Sequence, residues 1–141
     1  MNMYYQPTAD LMASAQLTYT NMRGYYEHYG VDWQQLKICE QILDLENWDV
    51  LLNGDVVGAM RLAFDDEGCY IRDLQVDAAF QNMGVGTAAI SECSRLAVHR
   101  GAMQLRLRVF KISPAHKLYT RSGFSIDKED DRFYYMSKSL V

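Results

Sequence analysis

The chain has 141 residues, enough for one domain with a single hydrophobic core. Hydrophobic residues make up 49% and charged residues 23%, a balance that is typical of globular proteins and argues against disorder. The net charge of −4 argues against general nucleic-acid binding, and no apolar run approaches the roughly 20 residues that span a bilayer. We therefore expect one domain over residues 1–141, with neither nucleic acid nor a membrane as its partner.

Two helices are predicted first. Thr8 is a suitable capping residue, and apolar side chains then recur at spacings of three and four over residues 11–29. Asp32 followed by Gln35 resembles a capping box, which predicts a second helix over residues 33–43.

The hydrophobic pattern then changes to that of strands. Residues 48–52 and 56–64 flank Asn53-Gly54, a strong signal for a hairpin turn, and a third strand is predicted over residues 70–76. These three segments predict an antiparallel meander.

The second half of the chain alternates between helices and strands. The predicted elements are a helix from Val85 to Gly101, a strand over 105–109, a short helix opened by Ser113-Pro114 and closed by Gly123, and strands over 124–127 and 133–137. Together they predict an α+β domain with a mostly antiparallel, mixed sheet flanked by helices. The crossover over residues 70–109 joins parallel strands and should be right-handed.

A glycine-containing loop joins the third strand to the following helix. It consists of Gln81, Asn82, Met83, Gly84, Val85, Gly86 and Thr87. Glycines allow a ligand to approach the backbone, and the free N–H groups and dipole of the helix favour a phosphate or pyrophosphate. A simple tight turn explains the same glycines. A dinucleotide-binding loop is excluded, because no carboxylate follows about 20 positions later.

Two segments resemble one known family. The loop resembles the pyrophosphate-binding Q/R-x-x-G-x-G/A motif of the GNAT superfamily of acetyl-CoA-dependent N-acetyltransferases, and Leu74-x-Val76 resembles the strand before it. Residues 113–124, from Ser113-Pro114 to Gly123-Phe124, resemble the family's A-x-x-L-Y-x-x-x-G-F helix. Both segments occur in the family's order, and the order of elements agrees from about residue 8 to the C-terminus.

The resemblance implies acetyl-CoA as the cofactor and a primary amine, on a small molecule or a peptide, as the acetyl acceptor. It implies that the loop binds the pyrophosphate, that the backbone of Val76 pairs with the pantetheine arm, and that Tyr119 protonates the departing thiolate. Arg106, Arg108 and Lys111 are candidate partners of the ribose phosphate, although no motif distinguishes among them.

Two positions depart from the family pattern. Ser113 stands where many members have an asparagine, and it could bond the cofactor or serve mainly as a helix cap. Some family members use a glutamate base on the fourth strand, and the matching strand of this chain has no glutamate, so Asp73 is the candidate base, with water or backbone carbonyls as the alternative. Strand alternation predicts that Asp73 faces away from Leu74 and Val76 unless a bulge intervenes.

Tyr26, Glu27 and His28 are the candidate substrate contacts, because they fit the apolar stripe of the first helix poorly. The histidines show no metal-ligand spacing, so no metal site is predicted. Three scattered cysteines and the absence of a signal-peptide pattern predict a cytoplasmic protein. A homodimer is expected only because small domains of this size often self-associate. The alternative function is a coenzyme A-binding sensor or interaction module without catalysis.

Overall fold

The computed structural model describes residues 2–141, which form seven strands and four α-helices. The strands are β1 (Met3–Pro7), β2 (Glu46–Leu52), β3 (Asp55–Asp65), β4 (Gly68–Val76), β5 (Gln104–Phe110), β6 (Ser125–Glu129) and β7 (Phe133–Ser139). The helices are α1 (Leu11–Tyr29), α2 (Gln35–Ile42), α3 (Val85–His99) and α4 (Ala115–Arg121).

All seven strands belong to one sheet in the order β1-β2-β3-β4-β5-β7-β6. Neighbouring strands are antiparallel except β4 and β5, which are parallel and are connected through α3. The predicted mixed, mostly antiparallel sheet flanked by helices is confirmed.

The helices cover opposite faces of the sheet. Buried residues of α3 and α4 pack against one face, together with Leu105 and Leu107 of β5. Buried residues of α1 and α2 pack against the other face, together with Phe110. We call these the α3/α4 face and the α1/α2 face. No helix within residues 2–141 is long and apolar enough to cross a bilayer.

Three local predictions were wrong. The chain before α1 forms β1, an edge strand that pairs with β2, and α1 is capped by Asp10, whose Oδ1 accepts from the N–H of Ala13 at 3.1 Å, instead of by Thr8. The helix α2 begins only at Gln35 and has no side-chain cap, so Asp32 caps nothing. The short helix α4 begins at Ala115, one residue later than a cap at Ser113 implies.

Two irregularities of β4 prepare the site. First, β4 pairs with β5 only at Cys69 and Tyr70, after which the two strands diverge. Second, the register between β3 and β4 shifts between Arg61 and Leu62, so that Arg72 has no direct partner on β3. A bulge of this kind bends a strand and redirects its side chains. The sheet is therefore open on the β5 side of the second half of β4.

Candidate active site

A cavity of about 790 Å³ lies where β4 and β5 diverge, and it reaches both faces of the sheet. Leu74 and Val76 line it from β4, Tyr119 from α4, and Tyr26 from α1. A cavity of this size is large enough for a drug-sized ligand. Because it passes between two strands, groups from opposite faces of the sheet meet in one space.

The glycine loop opens α3 at one end of this cavity. Gly84 is the N-cap residue and has a φ of +85°, a left-handed conformation that suits glycine. Ala88 is the first residue whose N–H bonds back along α3, to the carbonyl of Gly84 at 3.0 Å. The N–H groups of Val85, Gly86 and Thr87 therefore have no partner within the helix, and this arrangement fits an anionic group such as a diphosphate.

The two loop positions require glycine for different structural reasons. A Cβ on Gly84 would meet no protein atom within 4 Å, so only its backbone conformation requires glycine. A Cβ on Gly86 would lie 3.0 Å from Cδ2 of Leu118, so this glycine allows α3 and α4 to approach closely. A side chain at either position would therefore alter the conformation or the packing of the loop.

Most of the predicted loop residues line the cavity. Those that do are Gln81, Asn82, Gly84, Gly86 and Thr87. Met83 is exposed outside the cavity and Val85 is buried in the core, so any contact that they make with a ligand involves their backbone alone.

The carbonyl of Val76 is already engaged. It accepts from Nδ2 of Asn21 at 2.9 Å and from Nε2 of Gln81 at 3.0 Å. Gln81 thus ties the loop to the end of β4, and Asn21 ties α1 to the same point. The expected pairing of Val76 with a pantetheine arm is therefore restricted on its carbonyl side.

Tyr119 lies in the cavity wall and is 7% exposed. Its ring contacts that of Phe124 edge to face at 5.7 Å, and its hydroxyl makes no hydrogen bond within residues 2–141. Burial raises the pKa of Tyr119, and the nearby Asp73 raises it further. The phenol is therefore neutral and available as a hydrogen-bond donor.

Ser113 is buried at the edge of the same cavity. Its Oγ accepts from the N–H of Ala115 at 3.2 Å, and its carbonyl lies 2.7 Å from Nδ1 of His116. Both contacts stabilise the start of α4, although Ser113 stands one residue before the N-cap.

Asp73 lies on the α1/α2 face, opposite to Leu74 and Val76, which pack toward the α3/α4 face. Its Oδ2 accepts from Thr18 Oγ1 at 3.0 Å and pairs with Arg61 Nη1 at 3.2 Å, while its Oδ1 accepts from Gln75 at 2.6 Å. The carboxylate is thus held firmly on the opposite side of β4 from the loop.

Arg61 is a site residue that sequence reasoning missed. It is fully buried on β3, it donates to Ser14 Oγ at 2.9 Å as well as to Asp73, and its Nε has no partner within residues 2–141. Burial lowers the pKa of Arg61, and the charge of Asp73 opposes that shift. The sequence holds no signal for this pair, since a positive side chain within a strand is usually exposed.

The three predicted substrate contacts separate in the structure. Tyr26 is buried, lines the cavity and packs edge to face against Trp33 at 5.5 Å. Glu27 is exposed and pairs with Arg23, and His28 is exposed beside Tyr29. Glu27 and His28 do not line the cavity, because successive residues of a helix project in different directions.

The three candidate partners of the ribose phosphate, on and after β5, have different surroundings. Arg106 pairs with Asp65 and Glu67 at 2.7 and 2.6 Å, and Lys111 pairs with Glu129 at 2.7 Å. Arg108 does line the cavity, but it lies over the ring of Phe133, on the α1/α2 face. Arg108 is thus the one of the three that lines the cavity, whereas Arg106 and Lys111 already have carboxylate partners.

The comparisons agree with this architecture. The family model of the acetyltransferase (GNAT) family matches residues 12–124, which is most of the chain, so the protein belongs to the GNAT family of acetyltransferases. No curated protein sequence matches the chain at a significant level.

Solved structures of similar fold cover almost the whole chain. The PaiA N-acetyltransferase from Thermoplasma acidophilum, in complex with coenzyme A, has a TM-score of 0.80 at 17% identity and covers 99% of both chains. Ard1 from Thermoplasma volcanium has a TM-score of 0.80 at 19% identity over 100% of this chain and 99% of its own. A GNAT family acetyltransferase from Elizabethkingia anophelis, with acetyl-CoA bound, has a TM-score of 0.72 at 17% identity over 98% of both.

Proposed function

We propose that the protein is an N-acetyltransferase that transfers an acetyl group from acetyl-CoA to a primary amine within a ternary complex. The observation that carries the proposal is the single cavity between β4 and β5, with the loop and Tyr119 on one side and Asp73 and Tyr26 on the other. Two reactants that enter from opposite faces of the sheet would meet between these residues, so that no covalent enzyme intermediate is required.

Acetyl-CoA fits the α3/α4 side. The free N–H groups that open α3 would hold its diphosphate, and the open edge of β4 would accept its pantetheine arm as an added strand. When bound, acetyl-CoA supplies the thioester whose acetyl group is transferred. Relatives of the same fold contain coenzyme A or acetyl-CoA, which supports this assignment.

The acceptor amine must be neutral when it attacks, although a free alkylamine has a pKa near 10. Asp73 is the candidate group to attract the ammonium ion and receive its proton, directly or through a water molecule. Arg61, Thr18 and Gln75 hold its carboxylate in one orientation, which favours a defined position for the amine.

Tyr119 is the candidate donor to the departing sulfur. Because burial and Asp73 raise its pKa, the phenol keeps its proton at every physiological pH, so it cannot act as a base. For the same reason, a complete transfer to the thiolate is unfavourable unless a second proton replaces the one lost. We propose that Tyr119 stabilises the developing thiolate through a hydrogen bond. It completes the transfer when a second proton, which the nitrogen loses after it has attacked the acetyl carbonyl, replaces its own.

Thiol release from acetyl-CoA tests the proposal. The purified protein is incubated with acetyl-CoA and a panel of polyamines, amino acids, aminoglycosides and peptides, and free thiol is measured. Amine-dependent release supports the enzyme. Tight binding of coenzyme A in calorimetry with no release on any amine would instead support a sensor, a reading favoured by the three contacts that the Asp73 carboxylate already makes. No binding of coenzyme A would refute both.

Cys39, Cys69 and Cys93 are free thiols, which supports a cytoplasmic setting for this activity.

A further inference from the structure

Beyond the transfer itself, the acceptor side of the cavity has a feature that the proposed chemistry does not use. Tyr29, Phe110 and Phe133 form a continuous stack, with ring centroids 4.9 Å apart between the first two and 4.6 Å apart between the last two. A guanidinium lies at each end, since Arg132 is 5.2 Å from the ring of Tyr29 and Arg108 is 4.3 Å from the ring of Phe133. We call this arrangement the capped stack.

Neither guanidinium of the capped stack forms an ion pair within the described range 2–141. Arg108 and Arg132 are both exposed and both line the cavity, and Arg108 also bonds the hydroxyl of Tyr135. The contrast with their neighbours is clear, because Arg106 has two carboxylate partners and Lys111 has one. Stacking on rings orients a guanidinium while leaving its outer N–H donors free.

The charge of the cavity wall is opposite to that of the chain. The whole protein has a net charge of −4, yet the cavity lining contains one acid, Asp73, and five cations. These cations are Arg72, Arg108, Lys117, Arg121 and Arg132. Lys117 and Arg121 belong to α4 and so to the side of the cofactor, whereas the other three are on or next to strands β4, β5 and β7.

The single acid and the capped stack share the α1/α2 face. Asp73 bonds to Thr18 of α1, and Phe110 packs in the cluster that includes Tyr26 of the same helix. Arg72 follows the same pattern as the capped stack, since its guanidinium lies 5.5 Å from the ring of Tyr70 and it makes no ion pair within residues 2–141. An acceptor on this face therefore meets a carboxylate at the inner end and unpaired guanidinium groups at the outer end.

We infer that the acceptor is an amine that also carries an oxyanion group, either a carboxylate or a phosphate, with the amine at Asp73 and the oxyanion at Arg108 and Arg132. This inference rests on the proposed function for the identity of the reacting group. Guanidinium groups recognise both oxyanions through paired hydrogen bonds, and aromatic rings beside them favour an apolar or aromatic body between the two ends. A polyamine, which carries only positive charge, would place a cation against the capped stack and is disfavoured.

Matched pairs of acceptors test the inference. 4-(Aminomethyl)benzoic acid and benzylamine differ only in a carboxylate, which the ring separates from the amine, and O-phosphoethanolamine and ethanolamine differ only in the phosphate. The ratio of kcat/KM within each pair is measured for the wild type and for Arg108→Gln and Arg132→Gln. We expect at least one oxyanion-bearing member to be preferred by roughly tenfold or more, as a charge-assisted hydrogen bond implies, and each variant to reduce that preference several-fold. The pair that shows the preference identifies the oxyanion.

Arg23→Gln is the control. Arg23 lies on α1, carries the same charge and is exposed, but it pairs with Glu27 and does not line the cavity, so the variant should retain the wild-type ratio. Equal or better use of the two amines that lack an oxyanion would overturn the inference. So would a preference that both cavity variants leave unchanged, or one that Arg23→Gln removes to the same extent.

A binding measurement separates this inference from the proposed function. The N-acetyl derivatives of 4-(aminomethyl)benzoic acid and of benzylamine are titrated into the protein saturated with coenzyme A, which requires no turnover. Tighter binding of the carboxylated compound by roughly tenfold, lost in Arg132→Gln, supports the inference even if no amine is acetylated. The inference is overturned if neither the carboxylated compound nor N-acetyl-O-phosphoethanolamine binds better than its own partner without the oxyanion, which is N-acetylbenzylamine or N-acetylethanolamine, even if an amine without an oxyanion is acetylated.

Discussion

Replacing Tyr119 with phenylalanine isolates the contribution of one hydroxyl group. The ring is 7% exposed and packs on Phe124, and a phenylalanine would keep that contact. The hydroxyl makes no hydrogen bond within residues 2–141, so its loss leaves no buried partner unsatisfied. We therefore expect the free energy of unfolding to change by less than about 1 kcal/mol.

The effect on turnover should be much larger. A hydrogen bond to a charged group contributes about 1.5–3 kcal/mol, and about 1.4 kcal/mol corresponds to a tenfold change in rate. If Tyr119 donates to the developing thiolate, Tyr119→Phe should lower kcat by roughly 10- to 150-fold. The affinity for coenzyme A should stay nearly constant, because the proposed diphosphate site consists of amides of a different segment.

Thiol release under saturating amine gives kcat, and calorimetry gives the affinity for coenzyme A. Tyr4→Phe is the matched control, since Tyr4 is 59% exposed on β1 and loses the same hydroxyl far from the cavity. An unchanged kcat in Tyr119→Phe would refute its role as the donor. If the loss of kcat, converted to an activation free energy, is matched by an equal loss of unfolding free energy, the hydroxyl has a structural role instead.

Three further predictions concern the loop, the buried pair and a second tyrosine. Gly84→Ala should weaken coenzyme A binding in calorimetry, because a φ of +85° costs a residue with a side chain about 1–2 kcal/mol and the new methyl group faces the ligand's approach. Asp73→Asn should lower the free energy of unfolding in urea by roughly 2–3 kcal/mol, because it leaves the buried charge of Arg61 uncompensated. Burial raises the pKa of Tyr26, so the neutral phenol contributes fully to stability below about pH 10, and this contribution is lost as the pH rises further. Tyr26→Phe should therefore reduce the loss of stability that urea unfolding measures above about pH 10.

Each of these predictions has an internal control. Gly54→Ala introduces the same kind of strain at a φ of +90° in the β2–β3 hairpin, and it should leave coenzyme A affinity intact. An equal loss of affinity in both glycine variants would contradict the binding role of the loop. Arg61→Met combined with Asp73→Leu should recover much of the stability lost in Asp73→Asn, and no recovery would show that the charge pair itself is not the cause. A Tyr26→Phe variant with an unchanged alkaline profile would contradict the effect assigned to burial.

Local patterns in the sequence were sufficient for most of the fold. The Asn53-Gly54 turn, the alternation within β5 and the helix that follows the glycine loop all depend on residues a few positions apart, and all three are present. The same is true of the two motifs that resemble the GNAT family, because a loop that leaves amides free is a property of its own backbone. Tyr119 and most of the loop residues could therefore be predicted from contiguous sequence alone.

Other features depend on partners distant along the chain. The strand β1 is defined by its pairing with β2, some 45 residues later, and its own sequence contains Pro7 and little alternation. Asp32 has the spacing of a capping residue, yet the packing of Trp33 against Tyr26 accompanies a helix that begins later, at Gln35. Local propensity is a weak predictor wherever such tertiary contacts compete with it.

The sequence by itself determined the family, the candidate ligand loop and the chemical types available at the site, because these are written in neighbouring residues. Only the tertiary structure decided which side chains meet. It placed Tyr26 but not Glu27 in the cavity wall, buried Arg61 against Asp73, and stacked Arg108 on an aromatic ring. The physical reason is that the direction of a side chain and the identity of its neighbours depend on how strands and helices pack, and that packing is a property of the whole chain.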